Sequence, residues 1–139
     1  MTEAGGPESR VREALYQLKD EHKDIMERVR AVLEATSGRT EQNVVDLLDA
    51  LFDTLRRHFA HEEYPDGLYD RLGACTPEHR DELRELVDEH FNLLATLRGM
   101  IERARAGDRS RLADEARTLA ERLREHETKE HALGARLVR

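Results

Sequence analysis

Four stretches of this chain carry apolar residues at alternating spacings of three and four, and each stripe is interrupted by a histidine. The first reads Val11, Leu15, Leu18, His22, Ile25, Val29, Leu33, and the second Val44, Leu48, Leu51, Leu55, His58, Glu62. The third reads Leu83, Val87, His90, Leu94, Leu97, Ile101, and the fourth Leu112, Ala116, Leu119, Leu123, His126, Glu130, Leu133, Leu137. A stripe of this period is the face of an α-helix that a bundle buries. Six polar residues, His22, His58, Glu62, His90, His126 and Glu130, therefore stand where core packing calls for leucine. Left unpaired in a core, such groups cost roughly 2–7 kcal/mol each.

The six also repeat. His22 to His58 is 36 residues, and so is His90 to His126. Glu62 follows His58, and Glu130 follows His126, at i+4, while Asp-Glu-His opens both halves at Asp20–His22 and Asp88–His90. The chain reads as two copies of one helical hairpin, each carrying H…HxxxE. At a rise of ~1.5 Å per residue, His22 lies roughly 21 Å and His58 roughly 26 Å below their shared hairpin end. The corresponding depths are roughly 24 Å for His90 and 27 Å for His126. All four histidines fall within about one turn of a common layer, and each HxxxE presents both groups on one helix face.

Element boundaries are readable. Ser37-Gly38 ends the first helix and Thr40 caps the second. Pro65 and Gly67 end the second near Glu63. Leu68–Cys75 predicts a short helical turn inside the longest connection. Thr76-Pro77-Glu78 starts the third long helix, Gly107 closes it, and Asp108 caps the fourth. Short connections make neighbours antiparallel. The expected fold is all-α, an up-down-up-down antiparallel four-helix bundle over residues 8–139, after a disordered segment 1–7.

Composition agrees. Ala, Leu, Glu and Arg favour helix, and the absence of Trp with few Val and Ile disfavours a sheet. The formal net charge is −7, with basic and acidic residues interspersed, which argues against a nucleic-acid surface. The single cysteine, Cys75, excludes an internal disulfide framework. No apolar run reaches membrane-spanning length and the N-terminus has no apolar signal core, so the expectation is a cytoplasmic protein without a membrane partner, monomeric or a weak homodimer.

Four imidazoles and two carboxylates in one layer point to metal. Two ionised glutamates would repel, and one would protonate, unless cations lay between them. Two carboxylates can bridge two metal ions while histidines fill terminal positions. Mixed nitrogen and oxygen donors suit iron best, with manganese or zinc as alternatives. His61 and Glu63 flank this seam. His61 reads as support for a ligand or an additional ligand, and His79 as a surface residue at a helix start.

The segments Leu18–Met26, Leu55–Glu63, Val87–Leu94 and Leu123–His131 carry a pattern that resembles the hemerythrin-like, HHE cation-binding domains. The resemblance spans roughly Glu8 to Leu137. It implies an oxo- or hydroxo-bridged pair of iron ions, with His22 and His58 on one iron, His90 and His126 on the other, and Glu62 and Glu130 bridging. Hemerythrins proper carry a further histidine one turn from the third-helix histidine. Here those positions are Leu86 and Leu94, which implies an accessible position on the His90/His126 iron. Hemerythrins also end on a carboxylate at i+5 from the last histidine, where this chain has His131, an additional candidate ligand. The implied function is binding of O2 or a related small ligand, NO or peroxide, as sensor, carrier or store. The alternatives are an oxidoreductase turning over peroxide (catalase- or peroxidase-like) or NO at the same centre, and an iron-handling protein.

Overall fold

The computed structural model describes residues 6–38, 43–65, 67–75 and 77–137. They form helices α1 (Pro7–Thr36), α2 (Val44–Glu63), α3 (Leu68–Cys75), α4 (Arg80–Arg105) and α5 (Leu112–Leu137), with a 3₁₀ turn at Pro77–His79. No strand occurs among the described residues, and no helix there is long and apolar enough to cross a membrane. The first five residues, Thr40 and Thr76 lie outside the described residues.

The helix ends follow from local chemistry. Pro7 sits in the first turn of α1, where its missing N–H costs nothing. Asn43 caps α2, its side chain accepting from the N–H groups of Val45 and Asp46. α4 ends in a Schellman motif. Gly107, at φ 87°, donates to the Ala104 carbonyl, and Asp108 donates to that of Arg103. Two expectations need correction. The Asp108 carboxylate accepts from the Ser110 N–H and hydroxyl, so it closes the turn before α5 rather than capping that helix. The third long helix opens with a 3₁₀ turn, Pro77–His79, so α-helix begins only at Arg80. Such tightened first turns are common at helix ends.

The four long helices form an antiparallel bundle in which α1 touches α2 and α5, and α4 touches the same two. Across the bundle, and among the described residues, the backbones of α1 and α4, and those of α2 and α5, stay apart, so only side chains bridge the diagonal. The fold is the all-α four-helix bundle that the stripes call for. Its apolar core is split. The larger part gathers Ile25, Val29, Leu48, Leu51, Leu55, Leu97, Met100, Leu119 and Leu123. The smaller gathers Val11, Ala14, Leu18, Leu68, Tyr69, Leu72, Leu86 and Leu133. Along every long helix the six polar seam residues fall at the boundary towards this smaller cluster.

α2 is the shortest of the four long helices and stops one residue after Glu62, whereas α1, α4 and α5 run on past that level. α3 fills the missing quadrant. It contacts all four long helices and supplies Leu68, Tyr69 and Leu72 to the smaller cluster. The turn that redirects the chain depends on Gly67, whose N–H donates to the Tyr64 carbonyl at 2.8 Å. A Cβ on Gly67 would collide with the His61 carbonyl oxygen, with those of Glu62 and Tyr64 at 2.7 and 2.8 Å.

Gly67→Ala should therefore force the backbone apart and destabilise the protein by about 1–3 kcal/mol, the usual cost of overpacking. Gly99→Ala lies within α4, where the added methyl would meet only the flexible Arg103 side chain, so it should be neutral or stabilising. Thermal melting of the two variants checks the contrast. Indistinguishable melting curves would mean that the seat of α3 is not held by this approach.

Candidate metal centre

His22 on α1, His58 and Glu62 on α2, His90 on α4, and His126 and Glu130 on α5 are all buried. The two glutamates are 0% exposed and come from diagonally opposed helices. Their donor atoms form two overlapping groups. One comprises His22, His58, Glu62 and Glu130, and the other Glu62, His90, His126 and Glu130. Within each group the atoms lie within 4.8 Å of one another. Both carboxylates belong to both groups.

Hydrogen bonds on the outer side of the rings set which nitrogen faces inward. His58 Nδ1 meets Glu21 at 3.2 Å, His90 Nδ1 meets Glu63 at 2.7 Å, and His126 Nδ1 meets Glu89 at 3.0 Å. An ionised carboxylate only accepts, so each Nδ1–H donates and each Nε2 lone pair points into the layer. Burial raises the pKa of Glu21 and Glu89, but hydrogen bonds outweigh it and both end below the usual range. The partners are His58 and His61 for Glu21, and Lys129 and His126 for Glu89. Burial alone raises Glu63. Phe59 stacks on His90 with ring centroids 3.8 Å apart and planes at 8°, locking that imidazole.

Several of the inward atoms have no adequate partner among the described residues. His90 Nε2 and His126 Nε2 face each other at 3.0 Å, two lone pairs with no proton between them. Glu62 Oε1 lies 3.2 Å from His90 Nε2 and 3.4 Å from His58 Nε2 without a hydrogen bond to either. His22 Nε2, both Glu62 oxygens and Glu130 Oε1 are buried and unpartnered. Burial, then the nearby Glu130, pushes the Glu62 carboxyl well above the usual range. These residues fit a metal. Convergent imidazole nitrogens and shared carboxylates form a donor set that a cation would satisfy.

One residue reaches the layer from outside the four stripes. The Tyr69 hydroxyl donates to Glu130 Oε2 at 2.8 Å and lies 2.8 Å from His90 Nε2 and 3.4 Å from His126 Nε2. Burial and the adjacent Glu130 and Glu62 hold this phenol far above the ordinary tyrosine range. Its hydroxyl lies beside the His90/His126 pair, on the side where the sequence reading left an accessible position. Leu86 is buried against Tyr69 in the smaller cluster, and Leu94 is half-buried against the larger one. His61 is mostly exposed and binds Glu21 at 3.0 Å, behind His58. His131 is exposed, with its ring 5.6 Å from that of His22. His79 bonds Glu82, remote from the cluster.

The family model of the hemerythrin HHE cation-binding domain matches residues 13–133, so the chain belongs to that family. No curated protein and no solved structure matches it significantly.

In the metal-free protein, burial first and neighbouring histidines second hold His22 down at about 4 and His90 at about 2. Between the ordinary value of 6.5 and about 4, the unfolded chain binds protons that the folded one refuses. Those two groups therefore cost stability as pH falls through that window. Glu62 acts oppositely: its raised pKa leaves stability intact below the ordinary 4.5 and takes it away as pH rises above that value towards the folded pKa. His22→Leu should flatten the dependence of stability on pH between 6.5 and 4 by about one proton. Denaturant melts of the chelated proteins across that range measure it. An unchanged slope would show that His22 titrates freely.

Proposed function

We propose that this hemerythrin HHE-family chain holds two iron ions between its long helices and binds O2 or a related small ligand, NO or peroxide, as a sensor, carrier or store. The observation that carries this reading is the pair of overlapping four-donor groups that share both glutamates. His22 and His58 would hold one ion, His90 and His126 the other, and Glu62 with Glu130 would join them. Iron is favoured because the donors mix imidazole and carboxylate with no thiolate among them. An iron pair with an open position supplies Lewis-acid and redox chemistry to a small ligand.

The rest of the work belongs to the protein. Glu21, Glu63 and Glu89 orient the imidazoles from behind, and Phe59 fixes the plane of His90. The apolar clusters on either side exclude bulk water from the layer.

Elemental analysis of protein purified in air, or reconstituted with ferrous iron, should give close to two irons per chain. Glu130→Ala should lose at least one, because it removes a donor common to both groups. His131→Ala should keep two. Chelation should lower the melting temperature, since a ligand at one hundred times its dissociation constant stabilises by about 2.7 kcal/mol. Reversible oxygenation would support binding, whereas rapid peroxide loss with O2 release would assign turnover instead. A protein that stays metal-free under reconstitution overturns the reading.

A further inference from the structure

We propose that Tyr69, carried into the layer by α3, is a direct ligand through its phenolate oxygen to the metal held by His90 and His126. The inference rests on the di-metal reading above. Two ligands about 2.1 Å from a metal and at right angles are about 3 Å apart. The spacings around the Tyr69 oxygen have that size: 2.8 Å to His90 Nε2, 3.4 Å to His126 Nε2 and 2.8 Å to Glu130 Oε2. The His90 and His126 nitrogens are themselves 3.0 Å apart, and Glu62 Oε1 is 3.2 Å from His90 Nε2. The phenol oxygen thus lies on the edges of one polyhedron with donors already assigned to a cation.

A merely structural tyrosine would need less. A buried phenol needs one acceptor, and Glu130 alone would serve. Tyr69 meets three candidate donor groups at once, and its ring runs nearly parallel to that of His90, at 18°. Its backbone is fixed by the tight turn at Gly67 and by Leu68 and Leu72, both 0–1% exposed. Ligation replaces the O–H bond by an oxygen–metal bond. The phenol proton leaves to solvent on loading, as metal binding to protonated ligands requires. No electron transfer is involved.

Phenolate bound to ferric iron produces a ligand-to-metal charge-transfer band in the visible, and excitation into it enhances tyrosinate ring vibrations. The chain has three tyrosines, and the other two, Tyr16 and Tyr64, are 77% and 60% exposed. The ferric-loaded Tyr16→Phe/Tyr64→Phe double variant retains only Tyr69 and should keep both the band and the ring modes. Tyr69→Phe should lose both while holding close to two irons per chain. A double variant that binds two irons without tyrosinate modes overturns the proposal and leaves the di-iron reading standing. Retention of the modes in Tyr69→Phe overturns it equally. Should Tyr69→Phe fail to fold, the double variant alone decides. Failure of the wild-type protein to take up iron would sink both readings together.

Discussion

Glu62 and Glu130 project from diagonally opposed helices whose backbones stay apart, yet both side chains are fully buried in one layer. Two carboxylates cannot share such a place as anions without a counter-charge. Protonating one would supply a single O–H donor, too few for the imidazole lone pairs that face the same point. The layer therefore has the donor set of a cation site. The split of the apolar core follows from it, because no aliphatic packing can run through the level of the four histidines. Stability and metal loading are coupled for the same reason, since the polar layer that weakens the metal-free bundle is what the cation binds.

Much of this was legible in the chain. The four stripes gave the long helices, and the doubled H…HxxxE gave six residues that the fold brings into one layer. Ser37-Gly38, Gly107 and Leu68–Cys75 marked boundaries through local turn chemistry alone. Less legible were the groups acting from behind. Glu21 and Glu89 are the middle residues of the repeated Asp-Glu-His, and each meets a histidine 37 positions later. The repeat was a visible signal, but its use depends on how far two packed helices are rotated toward each other. Tyr69 was harder still. It lies on no long stripe, and its place follows from the docking of α3 where α2 ends early. Local pattern carries no information about that. The accessible position expected beside Leu86 was inferred from a missing histidine, without a way to see a side chain arriving from a different helix.

The repeat also shows where the two halves part. Shifting by 68 residues maps Glu21 onto Glu89, and their exposed partners His61 onto Lys129. Those pairs preserve one arrangement, a carboxylate between a buried imidazole and an exposed base. The same shift maps Glu63 onto His131, and there the likeness fails. Glu63 binds His90 from behind, whereas the His22 ring has only the His131 ring at 5.6 Å in the matching place. α3 has no counterpart, because it belongs to the link between the halves.

The two half-sites are consequently unequal. The His90/His126 side is anchored by Glu63 and Glu89, stacked by Phe59 and covered by Tyr69. On the other side His22 Nε2 has no partner, and a cleft of about 320 Å³ reaches His58 past Glu21, Asp24, Thr54, Arg57 and His61. Thr54 sits one turn before His58 on α2, and its buried hydroxyl also has no hydrogen-bond partner. A small ligand needs both a vacant coordination position and a way in. Glu63 and Tyr69, which close the second half-site, have no counterpart at the first, so the asymmetry introduced by one short helix leaves the two half-sites differently enclosed.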